Sequence, residues 1–159
     1  MQKANLTVNH FEEFTSGRQF VHHWGRTINE GESVSFATEY LLHQPQFFNR
    51  EYARHLGFSD LVVPAQLVFA IALGMSVEDL SESGGPFLGA DEIVYLVPVL
   101  VGDTLFSSSE VLSNRISTSR PGYGVVEWRT RARNARGDTV IHFRRTSLVR
   151  TRNETGVSA

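Results

Sequence analysis

Glu39 and His43 are the two side chains in this sequence whose types and spacing could move a proton. Positions four apart on a helix share a face, and a carboxylate beside an imidazole orients the ring and raises its basicity. Around them stand Tyr40, Leu42, Gln44, Phe47 and Phe48, gathered about Pro45, while Gln66 follows Pro64 a little further on. The plainer reading of His43, a solvent-facing residue satisfying a carbonyl at a helix end, weighs equally with an acid/base role. His22 and His23 suggest a metal less well. Adjacent strand residues point to opposite faces and no acid or cysteine lies near them in sequence, so no metal is expected, and no cofactor.

The elements that would position these groups follow from residue pattern. Asn29 can cap a helix over Glu30 to Leu42, with Glu30 and Glu32 at its positive end and Val34, Phe36, Ala37, Tyr40 and Leu41 as its buried stripe. Asn49 caps a short helix ending at His55, and Gly57 stops it. From Ala65 to Met75 nearly every residue is apolar, so this helix has no water-facing stripe and a sheet should wrap it. Pro64 suits its start; the amides of Ala65, Gln66 and Leu67 are then left without partners and point toward the Pro45 loop, as donors to an oxyanion would.

Strands are expected over Arg18 to Ile28, Ala90 to Leu96, Thr104 to Arg115, Tyr123 to Asn134 and Thr139 to Arg150. In the fourth, Val126, Trp128, Thr130 and Ala132 alternate with Glu127, Arg129, Arg131 and Arg133, the period of two that marks one buried and one wet face. The stretch SVEDLSESGGPFLG loses the apolar pattern and reads as a mobile connection. The arginine-rich face is expected to be solvated, with Glu127 and Asp138 pairing to it, although a positive lip could also attract phosphates.

At 159 residues, 41% hydrophobic and 20% charged, the chain has material for one core, so one domain is expected over residues 10–152 with flexible termini at 1–9 and 153–159. A net charge of −2 gives no footprint for nucleic acid or an anionic membrane, and no stretch is long enough to span one. The absence of cysteine excludes disulfides, and the start has no apolar signal region; a cytoplasmic protein is the expectation.

Several segments carry a resemblance: Gly25 to Ile28 (GRTI), the P-x-x-F-N-x-E-Y-A run from Pro45 to Ala53, Gly57-Phe58, Gly74-Met75-Ser76, Pro98 followed by Gly102-Asp103-Thr104, Ser119-Arg120-Pro121, and Arg144-Arg145-Thr146. In that order and spacing the chain resembles the MaoC-like hydratases and dehydratases, in the branch of mesaconyl-CoA and itaconyl-CoA hydratases. The resemblance implies an α+β hot-dog fold, an antiparallel sheet wrapped round a central helix, and a homodimer with sites at its interface.

It also implies a loop of the form Asp/Asn-x-Asn-Pro-x-His, whose polar residue and histidine activate water for addition to an enoyl thioester. Anchored on Pro45, this chain has Leu42, Gln44 and Phe47 at the three positions, and neither leucine nor phenylalanine can move a proton. Phe47 and Phe48, with Leu42, Phe69, Phe87 and Tyr95 across the cavity, would make a greasy pocket, though core packing is the plainer reading of each aromatic. Three functions follow. First is a repurposed cyclase that folds a polyketide-like or other hydrophobic acyl chain, using Tyr40, Gln44, Ala65 and Gln66 as further contacts. Second is an acyl-thioester hydratase using Glu39 and His43. Third is a catalytically silent binding subunit.

Overall fold

The computed structural model describes residues 8–152, so the two expected flexible ends lie mostly outside the described residues. Three long strands carry the sheet: β4 (Thr104–Ile116), β5 (Tyr123–Asn134) and β6 (Thr139–Arg150). Each pairs antiparallel with the next, and β3 (Phe87–Tyr95) closes the β6 side. On the other side β4 pairs with both β1 (Gln19–Val21) and β2 (Arg26–Thr27). One strand was expected over Arg18 to Ile28; two short ones form because the chain kinks between them, with Trp24 at φ 64°. The alternation read in β5 holds, with Val126, Trp128, Thr130 and Ala132 all fully buried.

Helix α3 (Ala65–Met75) lies on the concave face as expected, with Leu67, Val68, Ile71 and Ala72 packed against Leu105, Ala132, Ile141 and Phe143. It is not wrapped on every side. Gln66, Ala70 and Gly74, spaced four apart, form an exposed stripe.

Helix α1 (Glu30–Glu39) starts with the capping box the sequence suggests: the Glu32 amide donates to Asn29 Oδ1 at 2.9 Å, and the Asn29 amide donates to Glu32 Oε1 at 2.9 Å. It ends three residues earlier than expected. Leu41 takes a left-handed conformation, φ 57°, and the Leu42 amide donates back to the Ala37 carbonyl at 2.8 Å, the closure usually made by glycine. The expected buried stripe therefore stops short: Tyr40 and Leu41 are 65% and 71% exposed. Helix α2 (Arg50–His55) is capped by Asn49, as read.

The segment expected to be mobile is ordered into α4 (Val77–Ser81), and β3 begins at Phe87 rather than Ala90. Leu80 is fully buried in a second core cluster with Phe14, Phe20 and Trp128. Polar groups hold α4 as well. Arg145, almost fully buried on β6, donates to the Ser76 hydroxyl at 2.8 Å and to the Ser81 hydroxyl, with its guanidinium 5.4 Å above the Trp128 ring. Burial pushes its pKa down to about 10, and no carboxylate forms an ion pair with it among the described residues.

His22 completes the attachment. Its Nδ1 lies 2.6 Å from Asp79 and its Nε2 2.8 Å from the Ser109 hydroxyl, which in turn meets Thr130 at 2.8 Å. His23 lies 3.2 Å from Glu78. The acids thought to be missing near these histidines thus come from α4, although no group of three potential metal ligands exists among the described residues. Burial outweighs Asp79 and holds the His22 pKa below 6.5. The neutral ring is favoured in the fold, so this site's stability is fully present above 6.5 and is lost as pH falls from there through the folded value. The melting temperature should therefore decline as pH drops below 6.5, and His22→Gln should flatten that decline in a calorimetric pH series. An unchanged slope would remove His22 as its source.

Candidate active site

The Pro45 loop is held from three directions. A 3-10 turn over Pro45–Phe47 is closed by the Asn49 amide donating to the Pro45 carbonyl at 2.7 Å, and the Val62 amide donates to the Gln46 carbonyl at 3.0 Å. Arg50 at the start of α2 bridges outward, donating to Glu30 and to Asp60, each at 2.7 Å. The same hydrogen bond from Arg50 holds the Asp60 carboxyl below its ordinary pKa. Exposed ion pairs like these contribute little stability but set the geometry of the loop.

Beyond the loop, residues 61–63 zip onto the segment joining β3 to β4. The Val63 amide donates to Val99 at 2.8 Å and the Val101 amide to Leu61 at 3.0 Å. This apposition opens a cavity of about 380 Å³ lined by Phe47, Val63, Ala65, Val68, Tyr95 and Val97, among others. Its walls are almost wholly aliphatic and aromatic, and its one phenol, Tyr95, has its pKa raised by burial. Such a cavity holds a small apolar group and orients it through few polar contacts.

Among the residues singled out from sequence, Phe47, Ala65 and Tyr95 line this cavity. Phe69 does not; its ring packs edge-on against Phe143 at 4.9 Å as part of the core. Phe87 stands at the far end of β3 over the Arg145 guanidinium, and Tyr40 stacks on Phe36 at 4.6 Å. Leu42 is half-buried, while Gln44, Phe48 and Gln66 are exposed. At the helix start the Leu67 amide donates to the Pro64 carbonyl at 2.9 Å, so the expected trio of free amides reduces to those of Ala65 and Gln66.

The Glu39–His43 geometry expected from sequence does not form. Because α1 stops at Glu39 and the chain reverses at Leu41, the two side chains do not share a helical face, both are exposed, and no hydrogen bond or ion pair joins them among the described residues. Val62, Val68 and the Leu96–Val99 lining were missed. Aliphatic residues carry no chemical signal, and only the zippering of residues 61–63 onto 99–101 brings them together.

Comparison with known proteins places this arrangement. Among solved structures, it is similar to a MaoC domain dehydratase from Chloroflexus aurantiacus (TM-score 0.87, 28% identity, covering 100% of this chain and 45% of that one). It is also similar to a MaoC-like dehydratase from Rhodospirillum rubrum (TM-score 0.80, 25% identity, covering 91% and 98%). The fold is that of a MaoC-like hot-dog protein. The profile of the mesaconyl-CoA hydratase family matches residues 3–158, and the chain belongs to that family.

A mesaconyl-CoA hydratase from Haloarcula hispanica is 35% identical over 140 residues, 87% of this chain and 39% of that protein. A beta-methylmalyl-CoA dehydratase from Chloroflexus aurantiacus is 30% identical over 145 residues, 91% of this chain and 41% of that protein. This chain thus spans about two fifths of the length of these relatives. The expectation of a cyclase for polyketide-like chains is overturned, since the relatives are hydratases and a dehydratase of acyl-CoA thioesters.

Cavity and core make different demands on an aromatic ring. Phe47→Ala should cost distinctly less stability in urea denaturation than Phe143→Ala, for which a fully buried ring implies about 3–5 kcal/mol. Equal losses would make Phe47 a core residue.

Proposed function

We propose that this chain is a hot-dog unit of an acyl-CoA hydratase/dehydratase, that it holds the acyl group, and that it works paired with a second hot-dog unit. The observation that carries the reading is the 380 Å³ apolar cavity at the start of α3, in a chain that belongs to the mesaconyl-CoA hydratase family. Hydration of an enoyl thioester places hydroxyl on C3 and a proton on C2, and charge develops on the thioester oxygen as water attacks. The amides of Ala65 and Gln66, at the positive end of α3 and beside the cavity, suit that oxygen.

Water activation is a different requirement. Leu42 and Phe47 cannot accept a proton, and His43 and Glu39 stand apart and exposed. The acid/base work is therefore assigned to the second unit. Its docking edge is β3, where Phe87, Leu88, Ile93, Val94 and Tyr95 are 39% to 53% exposed on a strand with one side unpaired. An apolar free edge of this kind is stable when another strand covers it. The relatives, of which this chain matches about two fifths, have length for such a second unit within one polypeptide. That unit has to carry the acid and base itself, so it is a homologous hot-dog unit rather than a second copy of this one.

Mesaconyl-CoA binding and turnover test the division of labour. The chain alone should bind mesaconyl-CoA in calorimetry, Ala65→Phe should abolish that binding by filling the cavity, and hydration should stay about 10²- to 10⁴-fold below that of a relative carrying the usual acid and base. Full turnover that collapses in His43→Ala would return the proton chemistry to this chain. A solution mass of one 17.8 kDa chain, with no partner raising activity, would sink the pairing.

A further inference from the structure

The convex face of the sheet carries a second concavity that takes no part in acyl binding. Arg129, Arg131 and Arg133 project from alternate positions of β5 into a trough of about 350 Å³ bounded by Phe106, Glu110 and Val21. At about 3.3 Å per residue the three arginines stand roughly 6.6 Å apart along the strand. Sequence pattern suggested that Glu127 and Asp138 would neutralise this face. They are engaged elsewhere, Glu127 with Arg144 and Asp138 with Arg136, and none of the three arginines forms an ion pair among the described residues.

A hydrophobic rim accompanies the uncompensated charge. Phe106 is 48% exposed and Val21 86% exposed, both on the wet side of the sheet. Gly25 lets the Phe106 ring lie against the backbone, because a Cβ there would come within 2.4 Å of it. Guanidinium groups beside an exposed Phe are the composition of a protein-binding patch.

We infer that this trough docks an acidic polypeptide segment carrying aromatic side chains, with carboxylates over Arg129, Arg131 and Arg133 and an apolar group on Phe106. Arginine pairs carboxylates through two parallel hydrogen bonds, which gives the row a directional preference. A nucleic-acid strand fits less well. Glu110 faces into the trough opposite Arg129 in the strand register, and a chain with a phosphate at every step has no way to avoid it, while a polypeptide can place a hydroxyl or a cation there. This inference is independent of the acyl pocket.

Fluorescence anisotropy with two labelled probes tests it: a random glutamate–tyrosine copolymer, and an oligouridylate of similar length. The copolymer should bind, and Arg131→Glu should weaken it at least tenfold. Arg136→Glu, the same charge change outside the trough, should weaken it less than threefold; thermal melts of both variants should confirm folding. Phe106→Ser should also weaken binding, and Glu110→Gln should strengthen oligouridylate more than copolymer. No copolymer binding, equal losses at Arg131 and Arg136, or tighter binding of oligouridylate than of copolymer would each overturn the inference.

Discussion

Helix α3 meets water only along the narrow stripe of Gln66, Ala70 and Gly74, and its buried side sets the shape of the sheet. Leu67, Val68, Ile71 and Ala72 need apolar cover on the scale of about 1.5–3 kcal/mol for each fully buried large side chain. That cover comes from residues spread over three strands, Leu105, Ala132, Ile141 and Phe143, so β4, β5 and β6 have to curl together. The cavity exists because the cover is incomplete at the helix start, where the loop through Val62 and Val63 replaces sheet.

The opposite end of α3 is organised by polarity. A guanidinium placed among Trp128, Phe87 and three serines is costly to desolvate, and no carboxylate offsets it directly. The hydroxyls of Ser76 and Ser81 take its hydrogen bonds, which ties the α3–α4 corner to β6; His22 and Asp79 tie α4 to β1 and β4. Two of the segments that carried the resemblance, Gly74-Met75-Ser76 and Arg144-Arg145-Thr146, meet at 2.8 Å in this cluster. Their recognisable pattern reflects a fold anchor at the opposite end of α3 from the cavity.

Binding and proton transfer are separable demands, and the proposed role of this chain rests on the first. In that proposal the apolar cavity confines an acyl group and two helix-start amides serve the developing charge, while moving a proton requires a titratable group at hydrogen-bond distance. Leu42 is half-buried and Phe47 lines the cavity, so neither position supplies a titratable group. Hot-dog sheets with a free β3 edge can then divide the two tasks between paired units.

Local pattern was enough to read α3, the capping of α1 and α2, and the three long strands, because each depends on neighbours within a few residues. The period of two in β5 admits one burial solution, whereas the apolar run of α3 did not show the exposed stripe of Gln66, Ala70 and Gly74. That Leu42 and Phe47 carry no titratable group was also visible in sequence, since it depends only on residue type. The end of α1 was not, because Leu41 adopts the left-handed turn that pattern reserves for glycine, and with it the Glu39–His43 face disappears. The acids that partner His22 and His23, the ordering of α4 and the lining of the cavity involve residues 36 to 69 positions apart in the chain. Only tertiary packing brings such residues into contact, because the cost of closing those loops is met by burying Leu80 and the flank of α3.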